Sequence, residues 1–275
     1  MKKKSLLVFV GIIFLFGCKY DQIFINQDFS DLQVKKVYSE LNHAIYLIGD
    51  VGDATEKSQA SLELLGKELK NADPKTTSVI FLGDNIYPEG LHKKDHPLRK
   101  EDEERLSVQL EVVKNFKGEV VFIPGNHDWQ QGGEEGFEFN KRQEDYVQKY
   151  LDRKVYHPSD GCSGPKEIAL SEDVTLIVID TQWWLHKYRK GRGEEDDCNT
   201  STFYDFMFAF KEALKSNRTK HVIVVGHHPM YSNGIHGGYF TLNDHLFPLT
   251  KLNSKLKIPL PIVGSIYPFY RSFFG

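Results

Sequence analysis

Cysteine and net charge are both scarce in this sequence, and each shortage limits what the protein can do. Its 275 residues include three cysteines, which do not have the spacing of a thiolate metal site. The formal net charge is -3 at pH 7, so we expect no basic surface for binding nucleic acid. The sequence also lacks internal repeats and low-complexity runs. Length and composition therefore fit one sizeable globular domain.

The first apolar run, residues 5–16, is shorter than a membrane-spanning helix requires. A basic start, Met1 to Lys4, precedes apolar residues 5–16 and then Gly17-Cys18. This is the anatomy of a secretory signal, and Gly followed by Cys resembles a bacterial lipobox. We predict a lipoprotein signal over 1–17, a lipidated Cys18, a tether over 18–39 and a domain over 40–275. An ordinary cleaved signal with an incidental cysteine is the alternative. The lipid would hold the protein on the bacterial cell envelope, on the periplasmic or outer-surface side.

The two remaining cysteines, Cys162 and Cys198, both lie in polar, loop-like sequence. In an exported protein an even pair of cysteines is consistent with a disulfide. We predict that these two are joined and tie two loops together, with free thiols as the alternative.

Apolar periodicity predicts helices and strands in alternation. Expected strands begin near Ala44, Val79, Val120 and His221, and a hairpin-like pair covers 167–170 and 174–179. Expected helices cover 55–71, 101–116, 134–151 and 201–216, the third with Phe137, Tyr146 and Tyr150 as its apolar face. This order predicts the α/β class, as a layered α+β sandwich.

Four of these strands stop at a glycine and then present polar side chains. The residues that follow are Asp50, then Asp84 with Tyr87, then Asn126 with His127, and finally His227. In open α/β sheets ligands bind where the carboxyl ends of strands meet the loops. Each motif alone is a common turn, but four of them in this order predict one shared site.

Oxygen ligands mixed with imidazole suit Fe, Mn or Zn. A central carboxylate can bridge two such ions, and two ions can clamp a phosphoryl group. The reaction also needs a proton donor for the leaving oxygen, and His127 and His236 are the candidates. A histidine in a charged loop is usually solvated, so His92 and His96 are given no role, and His228 is interpreted as structural.

The motifs resemble those of the calcineurin-like metallophosphoesterases, and most closely the purple acid phosphatase branch. They stand here as Asp50-Val-Gly52, Gly83-Asp-Asn-Ile-Tyr87, Gly125-Asn-His127 and Gly226-His227. The resemblance implies two mixed sheets packed face to face with helices outside. It also implies that Asp50 and Tyr87 bind a ferric ion and that Asp84 bridges it to Fe, Zn or Mn, which Asn126 and His227 also hold. His127 would bind the phosphate, and His236 would be a second acid/base histidine.

The family's final Gly-His-x-His, which completes both metal sites, is not found in this sequence. After His236 the chain offers only His245, and its tail from Ile258 to Tyr270 is apolar and aromatic. An apolar tail leaves a surface that favours a partner. We therefore expect that the domain is truncated, without its last strands, or that a separate C-terminal segment or partner completes the site.

The leading hypothesis is an exported, lipid-anchored phosphatase that hydrolyses small phosphomonoesters or phosphorylated substrates. A phosphodiesterase or nucleotide hydrolase of the same superfamily is the near alternative, and Tyr87 favours the phosphatase. An inactive remnant that serves as a binding module is the alternative from a different class, and the missing Gly-His-x-His supports it.

Overall fold

The computed structural model describes residues 42–54, 60–232, 240–251, 253 and 255–274. Its strands are β1 (Ala44–Ile48), β2 (Thr77–Phe81), β3 (Glu119–Phe122), β4 (Lys166–Ala169), β5 (Val174–Val178) and β6 (His221–Val225). Its helices are α1 (Ala60–Leu69), α2 (Arg99–Val113), α3 (Gly136–Leu151), α4 (Thr181–Leu185), α5 (Phe203–Ser216), α6 (Leu242–Leu246) and α7 (Ile266–Phe274). The elements predicted from periodicity are present, with ends shifted by a few residues.

The first sheet is parallel and has the order β1-β2-β3. Alternate residues of its strands, such as Val79 and Phe81, face α1, α2 and α3, and they share one core with Leu65, Leu106 and Val147 from those helices. Strands buried on both faces are near-continuous apolar runs, and all five residues of β2 are buried. This explains the unbroken apolar sequence that precedes Gly83.

The second sheet has the order β4-β5-β6, with β4 antiparallel and β6 parallel to the central strand. Its inner face packs against the first sheet through residues such as Leu176, Val178 and Val225, which meet Ile80 and Val121. Two face-packed sheets with helices outside are the layered α/β sandwich that the sequence predicts. The fold class is confirmed, with one sheet purely parallel and the other mixed over the described strands.

The buried face of α3 includes more than the predicted residues. Phe137, Tyr146 and Tyr150 are only half-buried, whereas Phe139 and Val147 are buried together with polar side chains. The polar members have partners beneath the helix, since Gln143 Nε2 donates to Asp128 and Tyr156 donates to Asn140 Oδ1. Tyr146 and Tyr150 pack against the core, as predicted, but the centre of the buried face is fixed by hydrogen bonds that apolar periodicity does not reveal.

The predicted disulfide is confirmed. Cys162 and Cys198 are bonded, and they join segments 36 residues apart. Cys198 lies in the loop between α4 and α5, so the bond ties this loop to the segment before β4. Thr202 begins α5 with a capping box, since its hydroxyl accepts from the N–H of Asp205 while the Asp205 carboxylate accepts from the N–H of Thr202. This satisfies two of the backbone groups left unpaired at a helix start.

The apolar tail is exposed, as the sequence predicts. Ile262 and Ile266 are 70% and 64% exposed, and Tyr267 and Phe269 are similar. His245 packs against Phe240 and Phe269 in this segment and lies 3.0 Å from the hydroxyl of Ser265. Across the described residues no helix is long and apolar enough to cross a membrane. The predicted signal, Cys18 and the tether lie outside the described residues.

Candidate metal centre

The four predicted loops meet at the carboxyl edge of the two sheets. Asp50 follows β1, Asp84 follows β2 and Asn126 follows β3, all in the first sheet. His227 follows β6 of the second sheet, and its Nδ1 lies 2.8 Å from the carbonyl oxygen of Leu82, between β2 and Gly83. The candidate site therefore includes residues from both sheets. The contact with Leu82 holds the His227 ring of the second sheet against the first sheet.

Two glycines let these loops come so close together. Gly83 has φ +92°, and a Cβ there would lie 2.8 Å from His227 Nδ1. A Cβ on Gly125 would lie 2.3 Å from Asp84 Oδ1. Real Cβ atoms do not approach other atoms so closely, so both positions require glycine. Glycine after β2 and after β3 is thus a steric condition for the site as well as a turn signal.

Asp84 lies at the middle of the site and is 3% exposed. Its Oδ2 is 3.1 Å from the phenol oxygen of Tyr87, which is also 3.1 Å from Asp50 Oδ1. Its Oδ1 is 3.4 Å from His227 Nε2 and accepts the backbone N–H of His127 at 3.0 Å. The two oxygens of one carboxylate therefore face two different sets of donors, which is the arrangement that a bridging ligand needs.

Asn126 and His227 form the second set. Asn126 Oδ1 is 3.2 Å from His227 Nε2. His227 Nδ1 donates to the Leu82 carbonyl, which can only accept, so Nε2 is the nitrogen that faces Asp84 and Asn126. A partner that fixes one ring nitrogen and aims the other is typical of histidine metal ligands.

Both site carboxylates have left-handed backbone conformations, with φ 56° at Asp50 and 53° at Asp84. Aspartate tolerates this region better than most residues, but it is still sparsely populated. Strained conformations of this kind persist where surrounding structure enforces them, and they cluster at functional sites. The strain supports a functional role for both turns.

The charges of Asp84, His227 and Tyr87 influence one another's pKa values. Burial raises the pKa of Asp84, but the hydrogen bond and charge of His227 outweigh it, so the pKa lies below its usual value. Burial lowers the pKa of His227, but Asp84 outweighs that effect and raises it to about 9. Burial and the two neighbouring carboxylates raise the pKa of Tyr87 far above its usual value. Without a cation the site therefore holds an Asp84–His227 ion pair and a neutral phenol.

His127 is held by a backbone carbonyl. Its Nδ1 donates to the carbonyl oxygen of Pro88, which also accepts from Gln131 Nε2 at 2.8 Å. The acceptor fixes the proton on Nδ1 and leaves Nε2 on the open side, 3.8 Å from Asp84 Oδ2. The Tyr87 and His127 rings meet edge to face with centroids 4.3 Å apart. His127 is thus next to two of the candidate metal ligands, Asp84 and Tyr87.

Asp128 is a structural residue of the site that the sequence analysis did not assign. It is fully buried and accepts from Asn85 N, Asn85 Nδ2, Gly125 N and Gln143 Nε2. It thereby joins the loop that carries Asp84 to the loop that carries Asn126. Burial and the charge of Asp84 raise the pKa of Asp128 to about 6.

A second buried carboxyl, Asp180, lies at the start of α4. It accepts from Trp129 Nε1 at 2.9 Å and from the backbone N–H groups of Gln182 and Trp183. Burial raises its pKa to about 7, despite these hydrogen bonds. It contacts none of the predicted metal ligands, so its titration can be studied apart from them.

We expect Asp180 to make the stability of the fold fall as pH rises from about 4 to 7. The folded pKa lies above the unfolded value of about 3.9, so the folded state binds the proton more tightly and loses that advantage through pH 7. At 1.36 kcal/mol per pKa unit the change is about 4 kcal/mol. Urea unfolding at pH 5 and pH 8 should show a smaller difference for Asp180→Asn than for the parent. Equal differences in the two proteins would contradict this assignment.

The other histidines are placed as follows. His236 lies outside the described residues. His228 Nδ1 is 2.7 Å from the Thr181 hydroxyl, which is consistent with a structural role. His92 is 6% exposed and its Nδ1 lies 2.8 Å from Asp102 Oδ2, so the expectation that it is solvated was wrong. His96 is exposed and stacks on His92 with ring centroids 3.9 Å apart.

The donor set fits metal ions. Among the residues that the structure describes, Asp50, Asp84 and His227 form the carboxylate–histidine group able to hold a cation, with ligand atoms within 4.8 Å of one another. Tyr87 adds a third oxygen next to Asp50, and Asn126 adds an amide oxygen next to His227. A single phenol proton cannot serve both carboxylates, whereas a cation could bind all three oxygens. Mixed oxygen and imidazole donors suit Fe, Mn or Zn.

Comparison with known proteins agrees with this geometry. The chain is 24% identical over 181 residues to purple acid phosphatase 17 of Arabidopsis thaliana, an alignment that covers 64% of this chain. The chain spans about half the length of that curated relative, 48%. A solved structure of a protein of unknown function from Aquifex aeolicus overlaps 66% of this chain and 78% of its own, at 14% identity and a TM-score of 0.30, too low to establish a shared fold.

The sequence model of the calcineurin-like phosphoesterases matches residues 43–257, from the start of β1 to beyond α6. The match includes every loop that contributes to the centre. The family typically binds two metal ions, and this chain has a candidate metal site at Asp50, Asp84 and His227. The chain belongs to the calcineurin-like phosphoesterase family.

Proposed function

We propose that the protein hydrolyses phosphomonoesters at a centre of two metal ions, in the manner of a purple acid phosphatase. One observation supports this most directly: the two oxygens of Asp84 face different donor sets. Asp50, Tyr87 and Asp84 would hold one ion, proposed as iron. Asp84, Asn126 and His227 would hold the other, proposed as Fe, Zn or Mn. When bound, such ions polarise the phosphoryl group and supply a nucleophile that is active near neutral pH.

The protein's own residues would bind and orient the ester. His127 keeps its Nδ1 proton on the Pro88 carbonyl, so its Nε2 is available to the phosphoryl group. In the protonated form, Nε2 donates to a phosphoryl oxygen or to the leaving oxygen. Phosphoryl transfer depends mostly on positioning and charge stabilisation, and a ring held at both Nδ1 and its backbone N–H supplies the positioning. His236 is proposed as the second acid/base histidine.

The test combines metal analysis with two substrates. The purified domain is loaded with iron and zinc, metal per chain is measured, and hydrolysis of an aryl phosphate is compared with that of a bis(aryl) phosphate. We expect close to two metals per chain and faster cleavage of the monoester. Faster cleavage of the diester would favour the phosphodiesterase alternative. No bound metal at micromolar concentrations would contradict the proposal and favour a binding module.

Tyr87→Phe should remove a visible absorption band of the iron-loaded protein while leaving the fold intact. The variant keeps the ring packing on His127 and loses only the oxygen shared with Asp50 and Asp84. We expect iron affinity to fall by about 10- to 100-fold. Absorption spectra and metal analysis are the measurements.

Tyr150→Phe is the matched control, because the Tyr150 phenol also donates to a carboxylate, that of Glu111, away from the centre. This variant should keep both the band and the iron. A band that survives Tyr87→Phe would exclude Tyr87 as the iron ligand that gives rise to it.

We also propose that the protein is exported and held on the cell envelope by a lipid on Cys18. The Cys162–Cys198 disulfide supports this, since structural disulfides persist mainly in oxidising compartments. Two or more acyl chains on one residue give stable anchoring. In the full chain Cys18→Ala should move the protein from the membrane fraction to the soluble fraction. Unchanged fractionation would overturn this part of the proposal.

A further inference from the structure

Arg105, on α2, joins the two loops that carry the iron-side ligands. Its Nη1 donates to the carbonyl oxygen of Tyr87. Its Nη2 lies 3.2 Å from Asp53 Oδ1 and 2.7 Å from Glu101 Oε1. The Arg105 side chain is 14% exposed, whereas the Asp53 side chain is 79% exposed. A largely buried guanidinium therefore spans from the helix to the Asp50–Asp53 turn and the Tyr87 backbone.

The Tyr87–Pro88 segment is held from both sides. Arg105 binds the carbonyl of Tyr87, and His127 and Gln131 bind the carbonyl of the next residue, Pro88. The Tyr87 N–H also donates to the Gly52 carbonyl at 3.0 Å. The orientation of this dipeptide therefore affects the position of the Tyr87 phenol and of the Pro88 carbonyl that accepts from His127 Nδ1.

We propose that Arg105 is a positioning residue of the metal centre, which fixes the Tyr87–Pro88 segment and through it both Tyr87 and His127. The expected effect of Arg105 on catalysis rests on the proposed function. Its effect on the position of Tyr87 and His127 does not, because these contacts join protein atoms alone. Arginine suits the role because its planar fork can bind a carbonyl and two carboxylates together, which a lysine ammonium on a flexible stem cannot reproduce.

Arg99 provides a matched comparison on the same helix. Its side chain is 11% exposed, its Nε pairs with Glu103 Oε1 at 2.7 Å and its Nη1 donates to the His92 carbonyl. It thus makes the same kinds of contact as Arg105, but to a segment that carries no metal ligand. Arg105→Lys and Arg99→Lys should cost similar stability and differ in their effect on the centre.

The first measurement uses metal-free protein. ¹⁵N NMR of histidine reports which ring nitrogen carries the proton, and in the parent His127 should carry it on Nδ1. In Arg105→Lys we expect the Nε2–H form of His127 to increase several-fold, because the Tyr87–Pro88 segment loses its anchor on the Tyr87 carbonyl and the Pro88 carbonyl can move away from His127 Nδ1. Arg99→Lys should leave the His127 signals as in the parent. The same His127 signals in Arg105→Lys and the parent would overturn the inference.

The second measurement uses metal-loaded protein. Arg105→Lys should weaken iron retention about 10- to 100-fold, as loss of an orienting partner does in other metal sites, and lower kcat with little change in KM. If the parent binds no metal, the proposed function fails while the NMR result still decides the role of Arg105. If Arg105→Lys does not fold, Asp53→Asn releases the exposed end of the guanidinium and should shift His127 in the same direction by less. An unshifted His127 in that variant would also overturn the inference.

Discussion

Asp84→Asn should abolish metal binding at both positions and reduce hydrolysis by about 10³-fold or more, which corresponds to about 4 kcal/mol in the barrier. Asp84 is the one described carboxylate that faces both donor sets, with Tyr87 at 3.1 Å from Oδ2 and His227 at 3.4 Å from Oδ1. The asparagine amide keeps the size of the side chain but loses its charge and one ligand oxygen. Metal per chain by elemental analysis is the direct measurement.

A second result is expected in the metal-free variant. Asp84 raises the pKa of His227 to about 9, so removal of its charge should lower that pKa by more than one unit. This change is measurable by NMR titration whether or not metal binds. An unchanged His227 pKa would mean that the Asp84–His227 pair is not formed in solution.

Asp102→Asn is the matched control. Asp102 is 1% exposed and, like Asp84, faces a histidine, since its Oδ2 lies 2.8 Å from His92 Nδ1. It lies outside the metal centre. The variant should lose comparable stability and keep its metal, whereas metal loss in both variants would point to general disruption of the fold.

The clustering of the candidate ligands at one edge was predictable because one local pattern repeats. An apolar strand, a glycine and then a polar side chain occur at Asp50, Asp84, Asn126 and His227, and parallel strands present such ends at one edge. These glycines indicate close packing as well as a turn, since a Cβ on Gly125 would collide with Asp84. Sequence periodicity was also sufficient for the layers, because β2 is buried along its whole length and β3 over three of its four residues.

The supporting contacts were not predictable in the same way. Arg105 binds a backbone carbonyl 18 residues away. Every residue has a backbone carbonyl, so the sequence does not indicate which one a side chain will bind. Asp128 follows directly after His127 and could have been suspected from that position, but its four donors come from three separate segments. His92 was predicted to be solvated from its charged loop, and its partner Asp102 lies on the next helix.

The buried polar residues of α3 were missed for the same reason. Gln143 would be placed on the solvent side by any apolar count, yet it is completely buried beneath the helix. Its amide donates to Asp128 at 2.8 Å. A buried polar group is stable only with partners, so this face cannot be recognised until the position of Asp128 is known.

Asp128→Asn should therefore weaken the metal centre without changing any ligand. One carboxylate oxygen becomes an N–H₂ group that faces buried donors from Gly125, Asn85 or Gln143. Donors left without an acceptor cost about 1–3 kcal/mol each, and the removal of a buried charge offsets part of this. We expect a net loss of about 2 kcal/mol in unfolding free energy, together with a 10- to 100-fold loss of metal affinity because the Asp84 and Asn126 loops are no longer joined.

Asp180→Asn separates the two effects, because Asp180 is also a fully buried carboxylate with several donors. Its one partner on a site loop is the Trp129 indole, and it does not join the Asp84 loop to the Asn126 loop as Asp128 does. Urea unfolding should show similar losses for the two variants, and metal titration should show a loss only for Asp128→Asn. If both variants kept full metal affinity, the loop connection through Asp128 would be irrelevant to the centre. If both lost it equally, metal affinity would depend on overall stability, and the second layer of hydrogen bonds would have no specific role.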